Sequence, residues 1–329
     1  KLKRREINTA QGSRLTFGIN ERLSFESEGL SLWADKENSL NYFSFSHPIS
    51  NEDLIFFGKG QSPSLFFGNE AEANFTKSSN FGSYGSPFLD LSYDGSFVGY
   101  RNLLSPKNEI TFAIFSGHHK ENDNFLIKQK GSNGFIAEFR SRHKRTSISF
   151  QGGFTNEGEG LLGSTLSGAF GLKSSKTYFS GIEMSRSLGD LETRGSLFIG
   201  KTKPALAQQS LISTMKDLVS SSFNIGVYKK GLFKRNDYFG FRLDQPLKIE
   251  DSDVELNLPF RRDKNKNIHF SSMEFDLSPN YREINSEFVY EVSTNRLDFF
   301  GRMGVSNDKG HQNSGIEPYL MMDIELRLY

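Results

Sequence analysis

The sequence contains no cysteine, which removes disulfides, zinc–thiolate sites and thiol catalysis at a stroke. It has no apolar run near the ~18 residues that a membrane helix requires, so a helical membrane protein is excluded. Strands that are polar on one face escape that test. Neither sign of charge dominates: 40 basic residues face 39 acidic ones. They are evenly mixed rather than gathered into a basic stripe, so nucleic acid is not an expected partner. The one basic cluster, Lys1-Leu2-Lys3-Arg4-Arg5, has no apolar stretch behind it. It reads as a solvated tail or a cut site, not a signal peptide, and the numbering is expected to begin inside a longer precursor. Proline is scarce, at 9 residues, and there is one tryptophan.

What is abundant is phenylalanine (32 residues), tyrosine (11) and glycine (31). Aromatics and glycines together favour strands, tight turns and close strand packing. The mean hydropathy of −0.51 suits a soluble domain and a barrel equally.

The recurring signal is period two. Phe135, Ala137 and Phe139 share a face while Glu138 and Arg140 point the other way. Ile110, Phe112 and Ile114 form another such face, and Ile182 and Met184 flank Glu183. Phe239, Phe241 and Leu243 alternate with Arg242 and Asp244; Phe288 and Tyr290 alternate with Glu287 and Glu291. Phe299 and Met303 alternate with Asp298 and Arg302, and the last segment sets Leu326 and Leu328 against Glu325 and Arg327. Charges of both signs thus return on the second face of strand after strand. In a soluble sandwich that face is wet. In a membrane barrel the apolar face meets lipid and the ions pair in a polar interior. Periodicity alone leaves both pictures open.

The fold expected is all-β: an antiparallel transmembrane β-barrel of about 12–14 strands, each near the ~10 residues of a tilted membrane strand. Glu138, Arg140, Glu183, Arg242, Asp244, Glu287, Asp298, Arg302, Glu325 and Arg327 are its candidate interior polar residues. One stretch breaks the pattern. Leu211, Met215, Leu218 and Val219 fall at helical spacing, so a short amphipathic helix is expected over residues 208–219. Residues 77–86, rich in Ser, Asn and Gly, read as a linker or long loop. They divide a β-rich segment, 1–85, from a barrel domain, 86–329.

No catalytic, metal or cofactor site is expected. His118 and His119 adjoin beside Glu121 and Asp123, short of a metal-ligand spacing. Glu250-Asp251-Ser252-Asp253 lacks the spacing of a calcium loop. Ser164 and Ser196 follow glycines, but no histidine is placed to serve them. No phosphate-cradling loop occurs.

Three stretches carry a family likeness: GIEMSRSLGDLETRGSLFIGK (181–201), FGFRLDQPLKIEDSDVELNLP (239–259) and SPNYREINSEFVYEV (278–292). Gln245-Pro246-Leu247 with Glu250, and Arg282-Glu283-Ile284, bear most of it; Ser210-Leu211-Ile212 and Ser222-Phe223 add to it. Together they resemble the C-terminal autotransporter-type domain of subtilisin-like serine peptidases of Gram-negative alphaproteobacteria, over about Phe88 to Tyr329. The resemblance implies an outer-membrane translocator or anchor. Its partners would be outer-membrane lipid, the barrel-assembly machinery and its own N-terminal passenger, with the peptidase triad upstream of residue 1. A porin- or adhesin-type barrel and a soluble secreted β domain are the competing expectations. Tyr329 departs from the pattern, standing one residue out of phase with Leu326 and Leu328.

Overall fold

The computed structural model describes the chain apart from residues 1, 10–11, 29–30, 61–62, 69–84, 119–130, 235–236, 295–296 and 327–329. In chain order the strands are β1 (Leu2–Asn8), β2 (Arg14–Glu28), β3 (Ser31–Pro48), β4 (Asp53–Lys59), β5 (Tyr93–Ser105), β6 (Asn108–His118) and β7 (Gly131–His143). There follow β8 (Thr146–Gly158), β9 (Gly160–Leu161), β10 (Ser164–Thr165), β11 (Leu172–Leu188), β12 (Leu191–Leu206), β13 (Ile212–Met215) and β14 (Leu218–Lys230). The last are β15 (Asp237–Asp251), β16 (Asp253–Arg262), β17 (Ile268–Asp276), β18 (Ile284–Ser293), β19 (Leu297–Asn307) and β20 (Ile316–Leu326).

Among the described residues, 15 of these strands form one antiparallel meander, in the order β1 to β8, β11, β12, β14, β15, β18, β19, β20. Of these 15 strands, 11 come from residues 86–329, and β1 to β4 add four more from the segment before them. β4 pairs with β5 from Asp53↔Asn102 to Lys59↔Ser96. The sheet thus runs unbroken from residues before 85 to residues after it, while most of the presumed linker lies outside the described residues.

The two ends of the meander differ. At one end the connections are tight, as at 106–107, 144–145 and 189–190. Gly189, with φ of +69°, supplies the left-handed conformation that the two-residue turn between Leu188 and Leu191 demands. At the other end, from β4 onward, the connections include the long stretches 60–92, 159–171, 207–217 and 252–283. Short turns on one side and long loops on the other are the habit of outer-membrane barrels.

The expected helix over 208–219 is absent. Ile212 pairs with Leu256 and Met215 with Val254, so β13 joins β16 and β17 in a three-stranded sheet above the rim, and β14 begins at Leu218. The physical reason is a second core. Ile212, Leu218, Leu161, Leu172 and Val254 bury together, so these apolar residues are spaced to meet neighbouring loops, not to line one face of a helix. Within that small sheet β17 is exposed along its whole length. At its far turn, Asn267 donates its side-chain amide to Asp263 at 3.0 Å, and this bond holds the Asp263 carboxyl below its ordinary range.

Candidate functional site

The long connection between β4 and β5 turns inward. Its described parts, the 3₁₀ turn Pro63–Phe66 with Phe67 and Gly68, and then residues 85–92, lie inside the curve of the sheet. Phe67, Phe88, Leu89 and Leu91 pack there against Phe56 of β4, Phe97 of β5, Phe115 of β6, Ile136 of β7, Phe179 of β11 and Phe198 of β12. A flat sheet would hold β5 and β12 roughly 24 Å apart, at about 4.8 Å per strand. One cluster joins them because the sheet curls and its own loop fills the space. Phe88 stacks on Phe179 at 5.1 Å, and Phe56 on Phe66 at 4.2 Å.

Glycines make room for these rings. A Cβ on Gly134 would strike the Phe115 ring across the strand pair and the Phe154 carbonyl. Gly181 faces Phe198 and Gly240 faces Tyr228 in the same way. Cross-strand glycine–aromatic pairing lets a large ring lie flat along the inner wall.

Next to the aromatic cluster sits a buried charge cluster built on five neighbouring strands. Arg140 of β7, fully buried, contacts Glu109 of β6 at 2.9 Å and Glu138 of β7 at 2.6 Å. Arg142 reaches Glu109 from the rim at 3.0 Å. Gln151 of β8 donates to Glu138 at 2.8 Å and to Glu183 of β11 at 2.7 Å. The inward loop is held by these same groups. The Gly68 N–H donates to Glu138, the Gly68 carbonyl accepts from Arg140, and the Phe66 carbonyl accepts from Arg101 of β5. A side chain on Gly68, at φ +62°, would run into Glu183. The charges therefore grip the backbone of the loop as well as one another.

A second cluster lies on the strands that follow. Arg242 contacts Asp244 at 3.0 Å and Glu287 at 2.8 Å, and Arg302 reaches Glu287 from β19. Tyr319 donates its hydroxyl to Glu287 at 2.8 Å. Of the candidate interior residues, Glu138, Arg140 and Glu183 thus gather in the first cluster, and Arg242, Asp244, Glu287 and Arg302 in the second. Asp298 and Glu325 oppose each other in register, but their side chains lie outside the described residues, as does Arg327. Arg101, Glu109 and Gln151 were not singled out by the sequence pattern. The inner face of β6 also carries Ala113 and Phe115, and that apolar content hides the phase of Glu109.

Two motifs far apart in sequence meet at the long-loop rim. Arg282 donates to Gln245 and contacts Glu250 at 2.7 Å. Glu250 also takes Lys248 at 3.2 Å. His311 contacts the Leu247 carbonyl at 3.1 Å, and its Nδ1 accepts the Glu283 N–H at 2.9 Å. The acidic run at Glu250 is thus a charge-paired rim, with Asp253 held by Lys216 at 2.5 Å. His119, Glu121 and Asp123 lie outside the described residues.

The outer face is the reverse of the inner one. Val98, Ile114, Phe139, Phe150, Ile182, Leu197, Ile225, Phe241, Phe288, Met303 and Leu320 stand exposed side by side on it. An apolar band of that extent on the outside of a curved sheet is a surface for hydrocarbon, not water. No family model and no curated protein matches the sequence. Solved structures do. In-vitro folded OmpT, an outer membrane protein of Vibrio cholerae, aligns over 98% of this chain and 84% of its own, with TM-score 0.51 and 8% identity. The outer-membrane-expressed form of the same protein gives 97%, 84%, 0.50 and 8%. The fold is that of an outer-membrane β-barrel. At such identity the likeness speaks for fold alone.

Proposed function

We propose that this chain is an outer-membrane anchoring barrel of the autotransporter type, standing in the bilayer with its long-loop end outward. The observation that carries the reading is the opposition of the two faces: an apolar exterior from β5 to β20, and an inner face that holds buried charge and, from β4 to β12, the described parts of the chain's own loop. A barrel whose lumen holds Phe67, Phe88 and a buried ion cluster is suited to hold something at the membrane rather than to pass solutes freely. The translocator role itself is supported by the resemblance of 181–201, 239–259 and 278–292. The Gln245–Glu250–Arg282 cluster adds to it, since there the two most telling motifs of that resemblance bind each other.

The test has two stages. The chain should fold only in detergent or lipid and migrate faster unboiled than boiled; a monodisperse, folded protein in plain buffer rejects the membrane reading. A reporter fused ahead of Lys1 should then become protease-accessible on intact cells, with low single-channel conductance in planar bilayers. Large steady conductance with no display of the reporter would favour the porin-type reading instead.

A further inference from the structure

At the long-loop end the apolar belt stops along a single hydrogen-bonded row. Ser96, Ser116, Asn133, Asn156, Lys176 and Lys203 are successive register partners across six strands, and all of them face outward. One step below, Val98, Ile114, Phe135, Phe154 and Tyr178 form the next row, with Phe135–Phe154 at 6.3 Å and Phe154–Tyr178 at 6.4 Å. The three adjoining aromatics Phe135, Phe154 and Tyr178 under a polar row are what a membrane–water boundary carries. The height agrees. On β11, Lys176 and Arg186 bracket the outward apolar residues about ten positions apart, roughly 33 Å of strand, or about 25 Å once tilted.

Within that polar row, the β11–β12 corner is unlike the rest. Lys176 and Lys203 stand directly opposite each other, an arrangement that repels in the absence of a counter-ion. Lys201 lies beside Tyr178 in the next row, taking Asp217 at 3.1 Å. Among the described residues no carboxylate pairs with Lys176 or Lys203. Lys176 instead lies over the Phe154 and Tyr178 rings, at 4.6 and 4.8 Å, and is thereby held at the boundary. The amides of Asn133 and Asn156, bonded to each other at 3.1 Å, continue the same row.

We infer that Lys176, Lys203 and Asn156, above the Tyr178–Phe154 pair, form a docking site for the phosphate headgroup of an anionic lipid in the leaflet at the long-loop end. The occupant follows from position and charge. The site opens sideways onto the apolar belt, so its ligand must carry hydrocarbon below and negative charge above. A phosphate between two ammonium groups relieves their repulsion, while the acyl chains continue along Ile182, Leu197 and Ile199. This inference rests on the membrane reading above.

The experiment uses the full chain folded in neutral detergent. Retention of phosphatidic acid is measured by native mass spectrometry against phosphatidylcholine of the same acyl chains. Wild type should retain phosphatidic acid selectively. The Lys176→Gln/Lys203→Gln double variant should lose at least about tenfold in apparent affinity. Lys176→Arg/Lys203→Arg should keep it, and Lys229→Gln/Lys234→Gln, the same charge change at the other end, should not weaken it. Equal loss in both Gln pairs, no loss in either, or full displacement by millimolar inorganic phosphate would overturn the site. Gel mobility separates the two failures. Absence of a heat-dependent shift in wild type sinks the membrane reading. A normal shift in every form, with unchanged lipid retention, sinks only this site.

Discussion

At the scale of single residues the interior is sensitive because its charges are dry. Arg140 is enclosed by Glu109, Glu138 and the Gly68 carbonyl. Replacing it with alanine leaves two buried carboxylates short of their cation, a loss of about 3–5 kcal/mol. Arg140→Ala should lower the temperature at which the compact gel form disappears, and Arg140→Lys, lacking the guanidinium fork, should recover only part of it. No change in that temperature would mean the cluster is wet. Gly134 fails for a different reason. A valine there meets the Phe154 carbonyl and the Phe115 ring, so Gly134→Val should cost about 1–3 kcal/mol or more in unfolding from lipid vesicles. Pairing it with Phe115→Ala should return part of the loss; strict additivity would dissolve the proposed fit of ring and glycine. The two residues differ in legibility. Arg140 could be read from sequence because Phe135, Ala137 and Phe139 mark the opposite face. Gly134 could not, since nothing local tells which ring lies on it across the sheet.

At the scale of elements, the strands of the main sheet from β6 onward were legible through alternation, and their turns through glycine and charged pairs. Two things were not. Residues 208–219 mimic a helix because Leu211, Met215, Leu218 and Val219 repeat at helical intervals. Met215 and Leu218 instead meet Leu161 of the 159–171 connection, Leu172 at the start of β11 and Val254 of the 252–283 connection. The inward turn Pro63–Gly68 was hidden because its backbone is held by Arg101, Arg140 and Glu138, far away in the chain. The rim connection β15–β18 offers the sharper test. Its anchor is Arg282, shared between Gln245 and Glu250. Arg282→Ala should cost only about 1–2 kcal/mol of global stability, since the site is partly exposed. Its larger effect should be local, as faster proteolytic cutting between residues 252 and 283 while the barrel stays intact. Cutting at the wild-type rate would mean that the second core, through Val254 and Leu277, holds the connection unaided.

At the scale of the whole molecule, inside and outside are decided by one period-two pattern, and only the curl of the sheet tells which face is which. A soluble two-sheet domain would bury the face of Ile182, Leu197 and Phe241. The structure exposes it and buries Glu183, Arg242 and Glu287 instead. This inversion gives the membrane reading its most direct test. Phe241 stands outward, with its ring 5.2 Å from Phe288 in the middle of the band. Phe241→Asp puts a carboxylate against hydrocarbon, a penalty of about 2 kcal/mol, and removes the aromatic contact as well. The folded, heat-modifiable fraction should fall. Phe241→Leu, which keeps the band apolar, should assemble almost normally, because the lipid face asks for hydrocarbon more than for shape. In water the expectation reverses. There an exposed aspartate would be neutral or favourable and would raise solubility. If Phe241→Asp yields more folded protein than wild type, the outer band faces water and the anchoring role falls with it.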